Sequence, residues 1–369
     1  MKRILVACDK FKGSLTAAEA CAAVGRGLAR RWPAAVLELC PIADGGEGFA
    51  AALLGPLGGR WVECDARDAL DREIRAHYVL ADGPDGPVAV MEMAEASGFW
   101  RIAPAERDIL RANTFGTGMM MRHAVTVGGA ARIVVGIGGS ATNDGGAGMA
   151  AALGVGLLDR DGHLLPPWAG VLAERLAAVD CAGRLALPPV TVACDVASPL
   201  LGPTGATRVF GPQKGADETT MPVLEKALAA LVRVTAGEAL AAIPGAGAAG
   251  GLGFGLLHFA GARLVPGFDL IAELTELGEK IAAADLVVTG EGSLDGQSLK
   301  GKGPVGIARL ARAQGKPVWG FCGRADAAVR SCGLFDRIDE LQATGLPLDE
   351  LMARAGDLLE RTAGAENKV

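Results

Sequence analysis

Short apolar runs alternate along this chain with stretches whose apolar residues recur at helical spacing. The first run, ILVA at residues 4–7, leads into CDKFKGSL and then into an alanine-rich segment reaching about residue 31. Thr16 and Glu19 stand three apart ahead of that segment, so a capping box is expected to open a helix there. Residues 36–42 predict a second strand, followed by ADGGEG and another helix. Residues 61–81 alternate in a strand-like way with Asp and Gly turns, and 88–93, 133–135, 190–193, 286–289 and 318–322 read as further strands. Helices are expected after NTFGTG (113–118) and over 221–236, 269–284, 305–314 and 348–362. Strands alternating with helices at both chain ends imply an α/β fold with a parallel sheet covered on both faces.

The polar residues that interrupt this pattern gather where strands end. The longest interruption is GIGGSATNDGGAG (136–148), between the β-branched run and a small-residue helix pattern. Glycines allow positive φ and close backbone approach, and the amides at a helix start favour an anion. Ser140, Thr142, Asn143 and Asp144 add polar groups in the same loop. A carboxylate beside phosphates is repelled unless a cation intervenes, so the loop suggests phosphate with Mg²⁺. Asp9, Lys10, Lys12 and Ser14 follow the first strand, Asp44 and Glu47 the second, and Asp195 ends the 190–193 run. Arg208 and Lys214 sit in ATRVFGPQKGA, and Glu291, Asp295, Lys300 and Lys302 crowd GEGSLDGQSLKGKGP. In open α/β sheets that edge is where ligands bind.

Two familiar motifs are nearly matched. Gly136, Gly138 and Ala141 fit G-x-G-x-x-A, with Asp159 near the distance of a ribose-binding acid, but a dinucleotide fingerprint has no use for the polar run 140–144. Gly296, Gly301 and Lys302 fit the start of a phosphate loop, yet Gly303 stands where its Mg²⁺-binding hydroxyl belongs. The glycine tract GAGAAGGLGFG (245–255) passes abruptly into LLHFAGA, which suggests a glycine turn capping a buried helix.

Composition narrows the classes. With 369 residues the chain is long enough for two domains. Its 54 glycines and 4% aromatic content describe small side chains packed under many turns. A net charge of -6 gives no general attraction to nucleic acid or anionic membrane, so an anion site must be local. The eight cysteines include no C-x-x-C pair and read as reduced thiols of a cytoplasmic protein, and the four histidines show no metal-ligand spacing. The apolar run before Asp9 is too short for a secretory signal. The uncharged stretch 239–262 carries too much Gly and Pro for a membrane span.

Seven segments in order give the chain a specific likeness: DKFKGSL (9–15), ADGGEG (43–48), GIGGSATNDGGAGM (136–149), ACDV (193–196), VFGPQKGA (209–216), GAGAAGGLG (245–253) and GEGSLDGQSLKGK (290–302). From end to end the chain resembles bacterial type I glycerate kinases. That family usually has Ser where this chain has Lys10, Arg for Ser293, Asn for Ser198 and Thr for Gly303. The resemblance implies two α/β domains: a flavodoxin-like domain from residues 1–78 and 265–369, and an inserted mixed-sheet domain from 79–264. It also implies ATP-dependent phosphorylation of D-glycerate at the 2-hydroxyl, giving 2-phosphoglycerate and ADP, with no nucleic-acid or membrane partner and with homo-oligomerisation left open.

Phosphoryl transfer needs alignment and charge neutralisation more than covalent chemistry. On that basis Gly138, Gly139, Ser140, Thr142, Asn143 and Lys214 are expected to bind nucleotide phosphates, and Asp144 or Asp295 to hold Mg²⁺. Asp195 is the expected base, with Asp44 as runner-up, and Lys12 and Lys302 are expected to neutralise phosphate or grip the carboxylate. Ser14, Glu47 and Lys300 are expected to bind substrate. A nicotinamide-dependent oxidoreductase and a non-catalytic ligand sensor are the alternatives.

Overall fold

The computed structural model describes residues 1–43, 45–296, 298–300 and 303–365, without the side chain of Lys300. Asp44 and Lys302 therefore lie outside the described residues, as does the functional part of Lys300. The chain divides into two compact units, one of residues 1–44, 51–57 and 268–369, the other of 45–50 and 58–267.

The strands in chain order are β1 (Arg3–Cys8), β2 (Val36–Leu39), β3 (Arg60–Arg67), β4 (Glu73–Ala81), β5 (Val88–Glu92), β6 (Arg132–Gly136), β7 (Gly156–Leu158), β8 (Ala178–Asp180), β9 (Val190–Ala193), β10 (Arg263–Val265), β11 (Leu286–Leu294), β12 (Val318–Ala325) and β13 (Arg337–Glu340). The first unit is built on a five-stranded sheet of order β13-β12-β11-β1-β2, every pairing parallel. A parallel sheet covered on both faces needs apolar side chains on both, and Ile4, Leu5 and Val6 of β1 are all buried. Ile4, Val6, Val288 and Phe321 share a core with Val24 and Leu28 of the helix Ala17–Arg31 and with Leu358 of the helix Ala355–Gly364. The capping box is formed: the Glu19 amide donates to Thr16 Oγ1, and the Thr16 amide to Glu19 Oε2 at 2.8 Å.

The second unit carries a six-stranded mixed sheet of order β10-β9-β6-β5-β4-β3 and a small ribbon of β7 and β8. Strands β5, β6, β9 and β10 run parallel to one another, whereas β3, β4 and β5 form an antiparallel meander. Here the structure differs from the boundary expected at residue 78. Register pairs such as Cys64 with Ala76 and Val79 with Val90 bind β3 and β4 to the inserted unit's sheet. Their alternation has a physical reason: Cys64 and Ala66 are buried while Glu63, Asp65 and Arg67 are exposed, the pattern of an antiparallel sheet with one wet face.

Two expected helices are each divided. The 269–284 segment breaks at Glu276, which takes a left-handed φ of 52° between Gly267–Leu274 and Leu277–Ala283. The 348–362 segment becomes Leu348–Ala353 and Ala355–Gly364. All eight cysteines are free. Among the described residues no helix is long and apolar enough to cross a membrane.

Candidate functional site

In each unit the chemistry-bearing residues collect at the carboxyl ends of parallel strands. In the second unit β6 ends at Gly136 beside Ala193, the last residue of β9, so the loop 137–146 and Asp195 leave the sheet side by side. Asp195 is half-buried, and its Oδ1 accepts from the Gly267 amide at 3.1 Å. The turn 45–48 lies at the same edge, where the Gly138 amide donates to the Gly45 carbonyl at 3.4 Å. Glu92 at the end of β5 fastens that turn, accepting from the amides of Gly48 at 3.1 Å and Ala50 at 2.9 Å. Glu47 is thereby held at the edge with its side chain exposed. The sequence reading missed Glu92, although an acid ending a buried strand was the signal that drew attention to Asp195.

The glycine-rich loop is packed with protein. The Asp144 carboxylate is 2% exposed and takes four donors: the Thr114 amide and hydroxyl at 2.8 and 2.7 Å, the Gly146 amide at 3.1 Å and the Gly148 amide at 3.0 Å. Burial pushes its pKa up while those bonds, the Thr114 hydroxyl foremost, pull it down. Mg²⁺ keeps several waters and asks for carboxylate oxygens with open positions, which Asp144 does not offer. The carboxylate ties the NTFGTG turn to the start of the helix Ala147–Ala152, and these four bonds speak against the metal role expected of Asp144.

Some of the loop's other polar groups are likewise engaged, and two are not. Lys214 is 2% exposed, and its Nζ donates to Ser140 Oγ at 2.6 Å and to the Thr142 carbonyl at 2.7 Å. Burial lowers its pKa from 10.5 to about 7, against the pull of Asp144. Asn143 Nδ2 donates to Thr207 Oγ1 at 3.0 Å. Thr142 Oγ1 and Asn143 Oδ1 are buried with no hydrogen-bond partner among the described residues. In this loop Gly138 is half-buried and Gly139 exposed, and the other residues are buried.

What fills the loop from behind is the second glycine tract. It opens the helix Ala248–Ala260 with three left-handed residues, Ala249, Gly250 and Gly251, as the expected glycine turn. Gly250 has a φ of +67°, its carbonyl accepts from the Gly145 amide at 3.0 Å, and a Cβ there would lie 1.9 Å from the Thr142 carbonyl oxygen. The acid required by a dinucleotide site is also committed elsewhere. Asp159 closes its own surface turn, accepting from the His163 amide at 2.9 Å and from Arg175 at 2.7 Å.

In the first unit the edge is open. Asp9, Lys10, Lys12 and Ser14 follow β1, Glu291 and Ser293 belong to β11, and Arg324 to β12; all line one cavity of about 620 Å³. Asp9 is 8% exposed, and its Oδ1 accepts from the Lys10 amide at 2.6 Å. Lys12 is exposed, and Arg324, which sequence reasoning missed, donates from Nε to Ser293 Oγ at 3.0 Å. Ser14, expected on substrate, gives its hydroxyl proton to the Met352 carbonyl at 2.6 Å and so braces the loop. Asp295 lies just past β11, with Oδ1 accepting from the Ser298 amide at 3.3 Å, and Ser298 Oγ donates to Glu291 Oε1 at 2.6 Å. A half-buried Asp295 suits a hard cation that needs one or two carboxylates and completes its shell with water and phosphate.

Comparison with known proteins places the whole chain. The family model described as the glycerate kinase family matches residues 4–367. The chain is 41% identical over 370 residues to glycerate kinase of Bacillus subtilis, covering 98% of this chain and 96% of the relative. It is 39% identical over 327 residues to glycerate 2-kinase of Escherichia coli, covering 87% and 85%. A crystal structure from Salmonella typhimurium LT2, assigned as glycerate kinase 2, aligns with a TM-score of 0.87 at 38% identity, over 98% of this chain and 96% of that one.

Proposed function

The chain belongs to the glycerate kinase family, and we propose that it transfers the γ-phosphoryl group of ATP to the 2-hydroxyl of D-glycerate, giving 2-phosphoglycerate and ADP. The observation that carries this reading is the likeness over nearly the full length to relatives named for glycerate phosphorylation, one of them for the 2-position.

In this reaction the acceptor hydroxyl loses its proton as the phosphorus-oxygen bond forms. Asp195 is the proposed base, supported by its place at the end of β9 and by the Gly267 amide, which fixes one carboxylate oxygen. Glu47, exposed beside it on the turn that Glu92 holds, is proposed to accept a hydroxyl of the acceptor. The exposed Gly139 amide is proposed to contact phosphate, while Ser140, Thr142, Asn143 and Lys214 shape the loop behind it. Lys12 is proposed to neutralise phosphate charge at the first unit's edge, and Asp295 to hold Mg²⁺, which when bound supplies charge neutralisation at the phosphates. The expectations for Asp44, Lys300 and Lys302 rest on sequence.

The test is an ADP-release assay with Mg-ATP and D-glycerate, with phosphorus NMR of the product and L-glycerate, glycolate and lactate as controls. Glycerate-dependent ADP release with the phosphorus coupled to one carbon-bound proton is expected. Coupling to two protons would move transfer to the 3-hydroxyl, and no glycerate-dependent release from folded protein would overturn the activity.

A further inference from the structure

The cavity of the first unit is poorly matched to a three-carbon hydroxy acid. Its volume of about 620 Å³ falls in the range of sites for drug-sized ligands. Its two sides differ in chemistry. One is the strand edge, where Lys10, Lys12 and Arg324 stand with the acids Asp9 and Glu291. The other comes from the segment after β13 and is set with Leu341, Leu346, Leu348, Leu351 and Met352. Leu348 is 72% exposed and Met352 37%, so two large apolar side chains on this wall remain open to water. An apolar wall beside an edge with three cations to meet phosphates and two acids to share a divalent cation with them suits a ligand that joins a flat apolar body to a polyanion, the constitution of a nucleoside triphosphate. The wall and edge are held in register, because Ser14 of the cationic loop donates to the Met352 carbonyl. Gln342, an amide with both donor and acceptor, stands at the same wall and can pair with the polar edge of a base.

We propose that this cavity seats the base and ribose of the phosphoryl donor, with Leu346, Leu348, Leu351 and Met352 against the base and Lys10, Lys12 and Arg324 beside the polyphosphate. The assignment rests on the kinase reading above and deepens it by locating the donor's nucleoside on the first unit.

The test uses Leu348→Asp, whose exposed position spares the fold, and Arg324→Ala. Each is expected to raise the KM for ATP about tenfold or more, Leu348→Asp by removing apolar contact with the base, while the KM for D-glycerate stays within about twofold. Adenosine, which lacks phosphate, is expected to compete with ATP and not with D-glycerate. A rise in the glycerate KM instead would make the cavity an acceptor site and overturn the proposal, as would unchanged constants for both substrates. Direct titration with ADP separates this proposal from the activity itself. If the wild type binds ADP and Leu348→Asp weakens binding tenfold, the cavity holds a nucleotide even where glycerate is not turned over; equal binding by both proteins overturns it.

Discussion

The carboxyl edges of the two sheets carry similar letters and different physics. Both present glycines, acids and lysines after buried parallel strands. In the second unit Gly146 closes on the backbone of Gly255, Gly250 on that of Thr142 and Asn143 and Gly251 on that of Gly145, and Lys214 and Asp144 spend their hydrogen bonds inside the protein. In the first unit the same kinds of residue border an open cavity. A glycine-rich polar loop is thus evidence of close backbone approach, and whether the approaching backbone belongs to the protein or leaves room for a ligand is decided by what packs behind it.

The largest expected effect concerns the reactive group left at the packed edge. Asp195→Asn keeps an acceptor for the Gly267 amide but removes the proposed base, so kcat should fall by about 10²–10⁴-fold while the urea midpoint stays close to wild type. Near-normal turnover would take the base role from Asp195. Next comes the interlock itself. Gly250→Ala introduces a Cβ 1.9 Å from the Thr142 carbonyl at a φ of +67° and should cost about 3 kcal/mol or more in chemical denaturation. Gly296→Ala in the first unit, with nothing within 4 Å of its Cβ, is the matched control and should stay within about 0.5 kcal/mol. Equal losses would dissolve the contrast between the two regions.

Asp144→Asn sharpens the comparison at a smaller scale. An amide presents a donor where a carboxylate oxygen accepted, so one of the four bonds is lost in a buried place, at about 1–3 kcal/mol. Thermal unfolding should report that loss while the Mg²⁺ concentration for half-maximal rate stays unchanged. A shifted Mg²⁺ dependence with unaltered stability would restore Asp144 as a metal ligand.

These outcomes bear on how much could be read from sequence. The strand run 190–193 coincides with β9, and the capping box of Thr16 and Glu19 forms as expected, because both are local signals fixed by side-chain spacing. The assignment of residues 60–78 to the wrong unit had a local cue too, since alternating burial distinguishes β3 and β4 from the wholly buried strands of a parallel sheet. The fate of Asp144 had none. Its donors come partly from Thr114, thirty residues away in sequence, and only the packing of the NTFGTG turn on the helix Ala147–Ala152 brings them together. Ser14 and Met352 are separated further still, so the bracing of the cationic loop was invisible in the motif DKFKGSL.

The last effect reads the packed loop's electrostatics. Lys214 ordinarily titrates at 10.5 and is lowered to about 7 by burial, so between those values the unfolded chain binds more protons than the folded one. Folding stability from this residue therefore rises with pH across that window, by at most about 1.4 kcal/mol per pH unit. Below pH 7 the lysine is charged in both states and the penalty is present in full. Lys214→Met removes the titration and also the bonds to Ser140 and the Thr142 carbonyl, which is a loss nearly constant with pH. Denaturant unfolding of both proteins at several pH values should show the wild type gaining on the variant from pH 7 to pH 10. A difference that stays flat would mean that Lys214 keeps its charge in the folded state, and the loop would then offer an anion a buried cation after all.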